Sequence, residues 1–279
     1  VLVIGWLSAS AGAQETIFDA QSKKQQIMAD YEALFGDQGS LQWLVNGENG
    51  PAGAPDTEPL MLSQPEAVLD AGTYISVEDE QGAVAWSDFF TWEDNAQPIH
   101  IESNAYLRSV FTGQTESWQR AAYGITAMDD PMASELTDAP RENTIANNGA
   151  VYALTTDTQG DQAQEQILTQ AAAIHMRTIL SVSENEGAGI NQVVNDGTLY
   201  AENNVAGIAW SLGAQIQNIS RGNDGGSPVG INILENHGKI FGRAQGNEAL
   251  VDGMHSYTRA RAIDGGDAGA GHREDEGCG

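Results

Sequence analysis

Cysteine and basic residues are scarce in this chain of 279 residues. A single cysteine, Cys278, excludes an internal disulfide and a cysteine-based metal site. Twelve Lys and Arg stand against 39 Asp and Glu, which gives a formal net charge of -27. Because the neutralisation of phosphates needs Lys and Arg, this composition excludes a nucleic-acid binder of the usual kind. It also disfavours docking onto an anionic membrane surface.

Long apolar runs and catalytic sequence motifs are missing as well. No stretch approaches the roughly 20 apolar residues that a membrane-spanning helix needs, so we predict no transmembrane segment. The sequence contains no Gly-x-Ser-x-Gly, P-loop, His-Glu-x-x-His or Gly-x-Gly-x-x-Gly element, and its five histidines are far apart. Aromatic residues make up only 7% whereas 32 residues are glycine, which favours short strands joined by tight turns.

The first residues have the composition of a secretion signal. Residues 1–7 are mostly apolar, and Ala11-Gly12-Ala13 fits the small-x-small pattern that a signal peptidase accepts. We interpret residues 1–13 as the remnant of a signal peptide, with an ordinary N-terminal strand as the alternative. This interpretation predicts a secreted or cell-surface protein.

Residues 14–36 show the clearest helical spacing in the chain. Apolar residues that include Ile17, Ile27 and Leu34 recur at steps of three and four, and Gly36 then ends the pattern. We predict an amphipathic helix that caps the end of a larger body. A short coiled coil is the alternative.

The rest of the first half predicts short strands and loops. Alternating runs at Tyr74–Val77, Ala83–Trp86 and Ile99–Ile101 are typical of strands of about five residues. We therefore predict a strand- and loop-rich segment over residues 37–140.

The end of the chain has a composition that is poorly suited to a core. Ile263 is the last large apolar residue, and Gly, Asp and Glu dominate the residues after it. We predict a flexible, acidic, glycine-rich tail over residues 247–279.

A repeated pattern occupies residues 141–246. Gly189–Ala201 and Gly230–Gly242 share five of 13 positions, and Arg141–Ala153 is a weaker copy. Each copy contains an Asn-x-Gly corner between two apolar runs. The predicted structural residues at these corners are Asn147, Gly149, Asn195, Gly197, Asn236 and Gly238.

The spacing of the corners suggests a short repeat unit. The corner asparagines are 48 and 41 residues apart, and Ile216–Ser220 contains a further asparagine, Asn218, between the last two. We therefore expect a natural unit of about 20 residues, in which every second unit carries the stronger pattern.

The physics of repeats favours a parallel β-helix for residues 141–246. The copies lack both the 3.6-residue periodicity of helical repeats and the framework of leucine-rich repeats. Asn and Gly accept the positive φ that we expect at a sharp corner. The flanking apolar residues Val151, Leu199 and Ile240 would point into one core, and stacked asparagines would hydrogen-bond along a ladder.

These residues resemble a known family. The stretches 195–201 and 230–242, with their Asn-x-Gly corners, are similar to the degenerate repeats of autotransporter passenger domains and related haemagglutinin-type secreted adhesins. The resemblance covers about residues 141–246. It implies a right-handed parallel β-helix within an all-β protein, and a non-catalytic role in adhesion or extracellular structure, with a glycan or cell-surface ligand.

Two alternatives to the adhesin remain open. A β-helical polysaccharide lyase or glycoside hydrolase would need carboxylates on one lateral face. A self-assembling filament subunit would associate end to end through strand edges. We predict no catalytic residue and no cofactor, and leave a calcium ion open. The acidic residues that could form a site or bind calcium are Asp157, Asp161, Glu184, Glu186 and Asp224.

Overall fold

The structure is a computed structural model that describes part of the chain. The predicted signal remnant and the predicted helix lie outside the described residues, apart from Ala29. The described residues are 29, 56–58, 60–62, 66–79, 83–91, 98–112, 120–130, 141–156, 168–183, 186–223, 227–262 and 269–276.

The described residues form 17 strands. Their bounds are β1 Leu60–Leu62, β2 Glu66–Leu69, β3 Tyr74–Asp79, β4 Ala83–Thr91, β5 His100–Ser103, β6 Tyr106–Phe111, β7 Arg120–Asp130, β8 Arg141–Asn147, β9 Ala150–Thr156, β10 Leu168–Ser183, β11 Glu186–Asn195, β12 Thr198–Asn204, β13 Ile208–Asn223, β14 Ser227–Asn236, β15 Lys239–Gln245, β16 Glu248–Ala262 and β17 Gly269–Glu276.

Every third strand belongs to the same sheet. Sheet 1 has the order β1-β4-β7-β10-β13-β16, sheet 2 the order β17-β14-β11-β8-β5-β2, and sheet 3 the order β15-β12-β9-β6-β3. All pairings between these strands are parallel. The prediction of an all-β protein with parallel strands is confirmed for the described residues, and the topology is consistent with a solenoid. We call one passage through the three sheets a coil.

The coil is longer than the predicted unit of about 20 residues. Asn147 pairs with Asn195 in sheet 2, and Asn195 pairs with Asn236, so one coil takes 48 and then 41 residues. Asn218 lies in sheet 1 on β13, in register with Thr178. The short unit is therefore wrong, because a coil contains three strands and its sheet 1 strand alone can run to 16 residues.

The same sheets continue on both sides of residues 141–246. The strand runs predicted near residues 74, 83 and 99 fall in β3, β4 and β5, and β5 and β6 pair directly with β8 and β9. Strands β16 and β17 lie within the range predicted as a flexible tail, so that prediction is wrong over residues 248–262 and 269–276. The sequence of β17 contains no large apolar residue, and the strand is placed beside β14 by backbone pairing, with Gly269 next to Val229.

The core is made of columns of side chains that run from coil to coil. One column in sheet 3 contains Ile75, Leu107, Val151, Leu199 and Ile240. The first four are at most 3% exposed, and Ile240 is partly buried against the same core. Each coil thus buries its apolar residues against equivalent residues of the next coil.

The described ranges contain no helix with the length and hydropathy needed to cross a membrane.

Candidate functional site

The predicted corner asparagines form a ladder between sheet 2 and sheet 3. The side-chain amide of Asn147 donates to Oδ1 of Asn195 at 2.8 Å, and the amide of Asn195 donates to Oδ1 of Asn236 at 2.7 Å. Asn147 and Asn195 are fully buried, so these bonds offset the cost of removing their amides from water. The ladder therefore stabilises the corner.

The corner glycines are needed because the backbones of neighbouring coils touch. A Cβ atom on Gly149 would lie 2.0 Å from the carbonyl oxygen of Ala105, and one on Gly197 would lie 2.0 Å from the carbonyl oxygen of Gly149. At Gly238 the corresponding distance, to the oxygen of Gly197, is 2.1 Å. None of the three glycines adopts the left-handed backbone conformation that we expected from the sequence. The Asn-x-Gly pattern thus encodes close stacking of coils.

The histidine of the last corner faces solvent. His237 occupies the position between Asn236 and Gly238, and its Nδ1 lies 3.0 Å from Oδ1 of Asp196 in the preceding coil. About half of each of these two side chains is exposed. Because both side chains are exposed to water, this contact contributes little to the free energy of unfolding.

Four of the five acidic residues proposed for a catalytic or calcium site lie outside the described part of the chain. Asp157, Asp161, Glu184 and Asp224 lie outside the described residues, and Glu186 is described only as part of β11. Within the described part of the chain, no three His, Cys, Asp or Glu residues are grouped so that they could hold a metal ion.

A buried ion pair contributes to the interior. The carboxylate of Asp129 is 1% exposed, accepts a bond of 2.7 Å from Nη2 of Arg141, and contacts Nε of the same guanidinium. The side-chain amide of Asn143 donates to Oδ2 of Asp129 at 2.7 Å. Because the charge is paired and hydrogen-bonded, this cluster is a structural element of the interior.

A break in the strand pairing of sheet 1, from which we infer a bend, marks the candidate functional site. Ala172 pairs with Leu212 and Ile174 pairs with Ala214, whereas Ala173 and Gly213 between them are not paired. The same interruption recurs at Gly124 in β7 and at Gly253 in β16. A Cβ on Gly213 would lie 2.4 Å from the carbonyl oxygen of Gly253, so these backbones approach closely along the bend.

Side chains from the two sides of the bend meet on the outer face of sheet 1. The rings of Tyr123 and His175 are stacked with centroids 4.7 Å apart, and Trp210 meets His255 edge-on at 5.0 Å. Tyr123 and Trp210 precede the bend and the two histidines follow it. Because rings from the two sides contact each other, we infer that the outer face is concave there, and we call this face the sheet 1 groove. The side chains that we assign to it come from β7, β10, β13 and β16 and are Tyr123, Thr126, Gln170, His175, Arg177, Trp210, Gln215, Leu250, Asp252, His255 and Tyr257.

The earlier coils of the groove carry a hydrogen-bonded polar network. Tyr123 Oη donates to Gln170 Oε1 at 3.3 Å, and Gln170 Nε2 donates to Gln215 Oε1 at 2.5 Å. His175 is 8% exposed, and its Nδ1 lies 3.1 Å from the hydroxyl oxygen of Thr126. These contacts fix the side chains that form the floor of the groove.

Burial keeps the two stacked rings uncharged. Desolvation by burial, followed by the positive charge of Arg177, lowers the pKa of His175 to about 4. Desolvation raises the pKa of Tyr123 to about 12, although the same arginine opposes this shift. At neutral pH this part of the groove therefore presents a neutral imidazole and a neutral phenol.

The last coils hold the more accessible part of the groove. Trp210 Nε1 donates to Oδ2 of Asp252 at 2.9 Å, and His255 Nδ1 lies 3.6 Å from the same oxygen. Leu250 is 50% exposed and Tyr257 is 43% exposed on the same face. Apolar surface thus lies beside a carboxylate and an imidazole, which is the combination that small polar ligands with one apolar face require.

Sequence reasoning missed this groove. Its residues come from four strands spread over residues 123–257, so no short motif contains them. One sequence signal could have pointed to the groove. Gly213 and Gly253 recur 40 residues apart, and an aromatic residue lies close to each of them, Trp210 and His255.

No family model, curated protein or solved structure matches the chain. The functional argument therefore depends on the chemistry of the groove itself.

Proposed function

We propose that the chain is a glycan-binding solenoid, with the fold of a right-handed parallel β-helix and a non-catalytic role in adhesion or extracellular structure. Support for the binding role comes from one observation above all. Trp210 donates to Asp252 beside His255, in a groove where Leu250 and Tyr257 remain accessible.

Sugar rings match this surface chemically. A pyranose ring has an apolar face of C–H groups that packs on an aromatic ring, and its hydroxyl groups donate and accept hydrogen bonds at the rim. Tyr257 and Trp210 supply aromatic surface, and Asp252 supplies an acceptor that already holds the indole in place. The groove therefore has both of the contacts that a sugar needs.

The direction of the groove suits a chain of sugars. Equivalent positions in neighbouring coils are about 4.8 Å apart in parallel sheets, and the bend recurs at Gly124, Ala173, Gly213 and Gly253. The groove thus runs across the strands and along the stack of coils. A linear oligosaccharide lying in it would contact several coils at once, which strengthens weak individual contacts.

The charge of the chain favours an uncharged ligand. A net charge of -27 repels polyanionic glycans, and beside the single guanidinium of Arg177 the earlier coils of the groove present neutral amide, phenol and imidazole groups. We therefore propose a neutral polysaccharide as the ligand class.

An exported location agrees with this ligand. The signal-like composition of residues 1–13 and the resemblance of residues 141–246 to secreted adhesin repeats support secretion or display at the cell surface. Cell fractionation of the source organism tests this proposal, and recovery of the chain only from the cytoplasm would contradict it.

A polysaccharide lyase or hydrolase is the second candidate. The contact of 3.6 Å between His255 and Asp252 favours it, because such a pair can move a proton. A second carboxylate on the same strand, Glu248, is four residues from Asp252, or roughly 13 Å along the backbone. Paired carboxylates of glycosidases are closer, at about 5–9.5 Å, so we favour binding.

The test is titration of the chain with neutral oligosaccharides, followed by tryptophan fluorescence and calorimetry. We expect saturable binding that Trp210→Ala weakens at least about tenfold, since stacking and its hydrogen bond are both lost. His237→Ala, at a corner outside the groove, is the matched control and should bind as the unmodified chain does. Equal affinities of the two variants, or no binding of any neutral oligosaccharide, would contradict the proposal.

A further inference from the structure

The charge of sheet 1 changes at the bend. Before the bend, β16 carries the acidic residues Glu248 and Asp252. After the bend, β10, β13 and β16 (residues 174–183, 214–223 and 254–262) contain no acidic residue and four arginines. Three of these have described side chains, and we call them the arginine strip: Arg177, Arg221 and Arg259. The strip is a local cationic region in a chain whose net charge is -27.

The arginine strip lies on the same outer face as the sheet 1 groove. Side chains alternate between the two faces of a strand, so Arg177 shares the face of His175, two residues earlier, and Arg259 shares the face of His255. Arg221 joins them, because it is two residues beyond the partner of Arg259 in the neighbouring strand. From the spacing within and between strands, the backbones of Arg221 and Arg259 are about 8 Å apart. Two arginines at this distance can act on one ligand.

The charges of the strip are unpaired. None of its three guanidinium groups makes a hydrogen bond or an ion pair within the described part of the chain. The neighbours of Arg177 across the sheet, Met128 and Gln217, are uncharged. The other arginines with described side chains each contact a carboxylate: Arg108, Arg141 and Arg243. The strip therefore keeps its charges available to a ligand, although the chain contains 39 acidic residues.

Arg177 connects the strip to the stacked rings of the groove. After desolvation by burial, its positive charge is the second influence on the pKa of both Tyr123 and His175, so the guanidinium lies near both rings. Its Nε is buried and has no hydrogen-bond partner among the described residues. A buried donor without an acceptor costs free energy, and an acceptor that a ligand brings to this guanidinium would recover part of that cost.

We propose that the arginine strip binds a carboxylate carried by an otherwise neutral glycan chain that lies in the groove. A guanidinium presents parallel N–H groups that match the two oxygens of a carboxylate. The inference rests on the proposed function and narrows it to a neutral polysaccharide with sparse uronic acid side groups.

The net charge of the chain is compatible with a ligand of this kind. Long-range repulsion by a charge of -27 acts on every charge of a polyanionic glycan. Salt screens distant charges beyond roughly 8 Å, so an isolated carboxylate beside the strip responds mainly to the nearby arginines. A single acidic group therefore gains from the strip, whereas a fully acidic chain is still repelled.

The experiment compares matched pairs of oligosaccharides on the full chain. The probes are gluco-, xylo- and manno-oligosaccharides on an array, each with and without one glucuronate unit, followed by calorimetry on the pairs that bind. We expect the acidic member to bind at least about fivefold more tightly, and this ratio of affinities to fall towards one in high salt. Arg177→Gln should remove most of the ratio, because it removes the charge nearest the groove.

Two further variants control for misfolding and for net charge. Arg259→Gln changes an exposed residue and should lower the ratio by a smaller amount, so the test does not depend on the partly buried Arg177 alone. Lys239→Gln removes the same charge from an exposed position in sheet 3 and should leave the ratio unchanged.

The outcomes separate this inference from the function on which it rests. If neutral members bind and glucuronate adds nothing, or if neither arginine variant lowers the ratio, the inference alone is overturned. An arginine-dependent preference whose affinity Trp210→Ala leaves unchanged would support the carboxylate site and contradict binding in the groove. Failure of every oligosaccharide to bind would overturn both.

Discussion

Ser103 lies directly beside Asn147 in sheet 2, at the point where the ladder of corner asparagines stops. Among the described residues, neither Ser103 Oγ nor Asn147 Oδ1 has a hydrogen-bond partner, although both atoms are buried. In the two following coils, the equivalent oxygens of Asn195 and Asn236 each accept an amide hydrogen from the coil before. The shorter serine side chain therefore leaves an incomplete rung.

We predict that Ser103→Asn stabilises the protein. The new amide can donate to Asn147 Oδ1, which satisfies a buried acceptor, so the free energy of unfolding should rise by about 1 kcal/mol in a urea titration. Ser103→Ala is the control and should have a small effect, because the hydroxyl makes no hydrogen bond that could be lost. A loss of stability in Ser103→Asn with a neutral Ser103→Ala would mean that the corner has no room for the amide.

Gly197 and its neighbour Asp196 should respond very differently to alanine. A Cβ atom on Gly197 meets the backbone of the preceding coil, so Gly197→Ala should reduce the free energy of unfolding by about 3 kcal/mol. The Asp196 side chain is half exposed, and Asp196→Ala should cost about 0.5 kcal/mol or less. Thermal unfolding followed by circular dichroism measures both, and similar midpoints for the two variants would contradict the close stacking of the corners.

The corners were predictable from the sequence because each is a local pattern that repeats. Asn195 and Gly197 are two residues apart, so their equivalents stand out when the copies are aligned. The length of the coil was misjudged because Asn218 resembles a corner residue, whereas the structure places it in the interior of a long strand. Its local sequence carries no information on which sheet the strand joins.

The last strand was harder to predict for a related reason. Gly269–Glu276 lacks large apolar residues, so it does not show the apolar face that is typical of a core strand. Parallel pairing with β14 orders this segment through the backbone. The sheet 1 groove was missed because its residues become neighbours only after coils of 40 to 49 residues have stacked.

A charge in the core should be tolerated differently in successive coils. Leu199→Asp places an unpaired carboxylate in a fully buried column, so we expect a loss of roughly 3–5 kcal/mol or complete unfolding. Ile240→Asp changes the same column one coil later, where the side chain is only partly buried, and should cost less. Denaturant titration of both variants is the measurement, and equal losses would show that the last coil is covered as completely as the one before it.

Stability should depend on the protonation of His175. Burial lowers its pKa in the folded state to about 4, against 6.5 for an unperturbed histidine, so the unfolded chain binds the proton more readily. The contribution of this residue is therefore fully present above about pH 6.5 and declines as the pH falls towards about 4, by about 3 kcal/mol in total.

The matched variant for this pH dependence is His175→Gln, which cannot titrate. Between pH 7 and pH 5 the unmodified chain should lose more stability than the variant, and the difference isolates the histidine from the many carboxylates that titrate in both. Parallel losses in the two chains would mean that His175 is accessible to protons in the folded state.

The role of Asp252 distinguishes binding from catalysis in the groove. Asp252→Asn removes the negative charge but retains an oxygen that can accept the hydrogen bond from Trp210 Nε1, so the indole should keep its orientation. If the groove only binds a neutral glycan, the affinity of Asp252→Asn for it should fall no more than about fivefold, because a neutral acceptor replaces a charged one.

If Asp252 and His255 act as a proton-transfer pair, release of new reducing ends from a polysaccharide should be detectable with the unmodified chain and abolished in Asp252→Asn. We expect the first result, with no release of reducing ends by either chain, since the nearest other acidic residue on the same strand, Glu248, lies beyond the spacing of paired catalytic carboxylates.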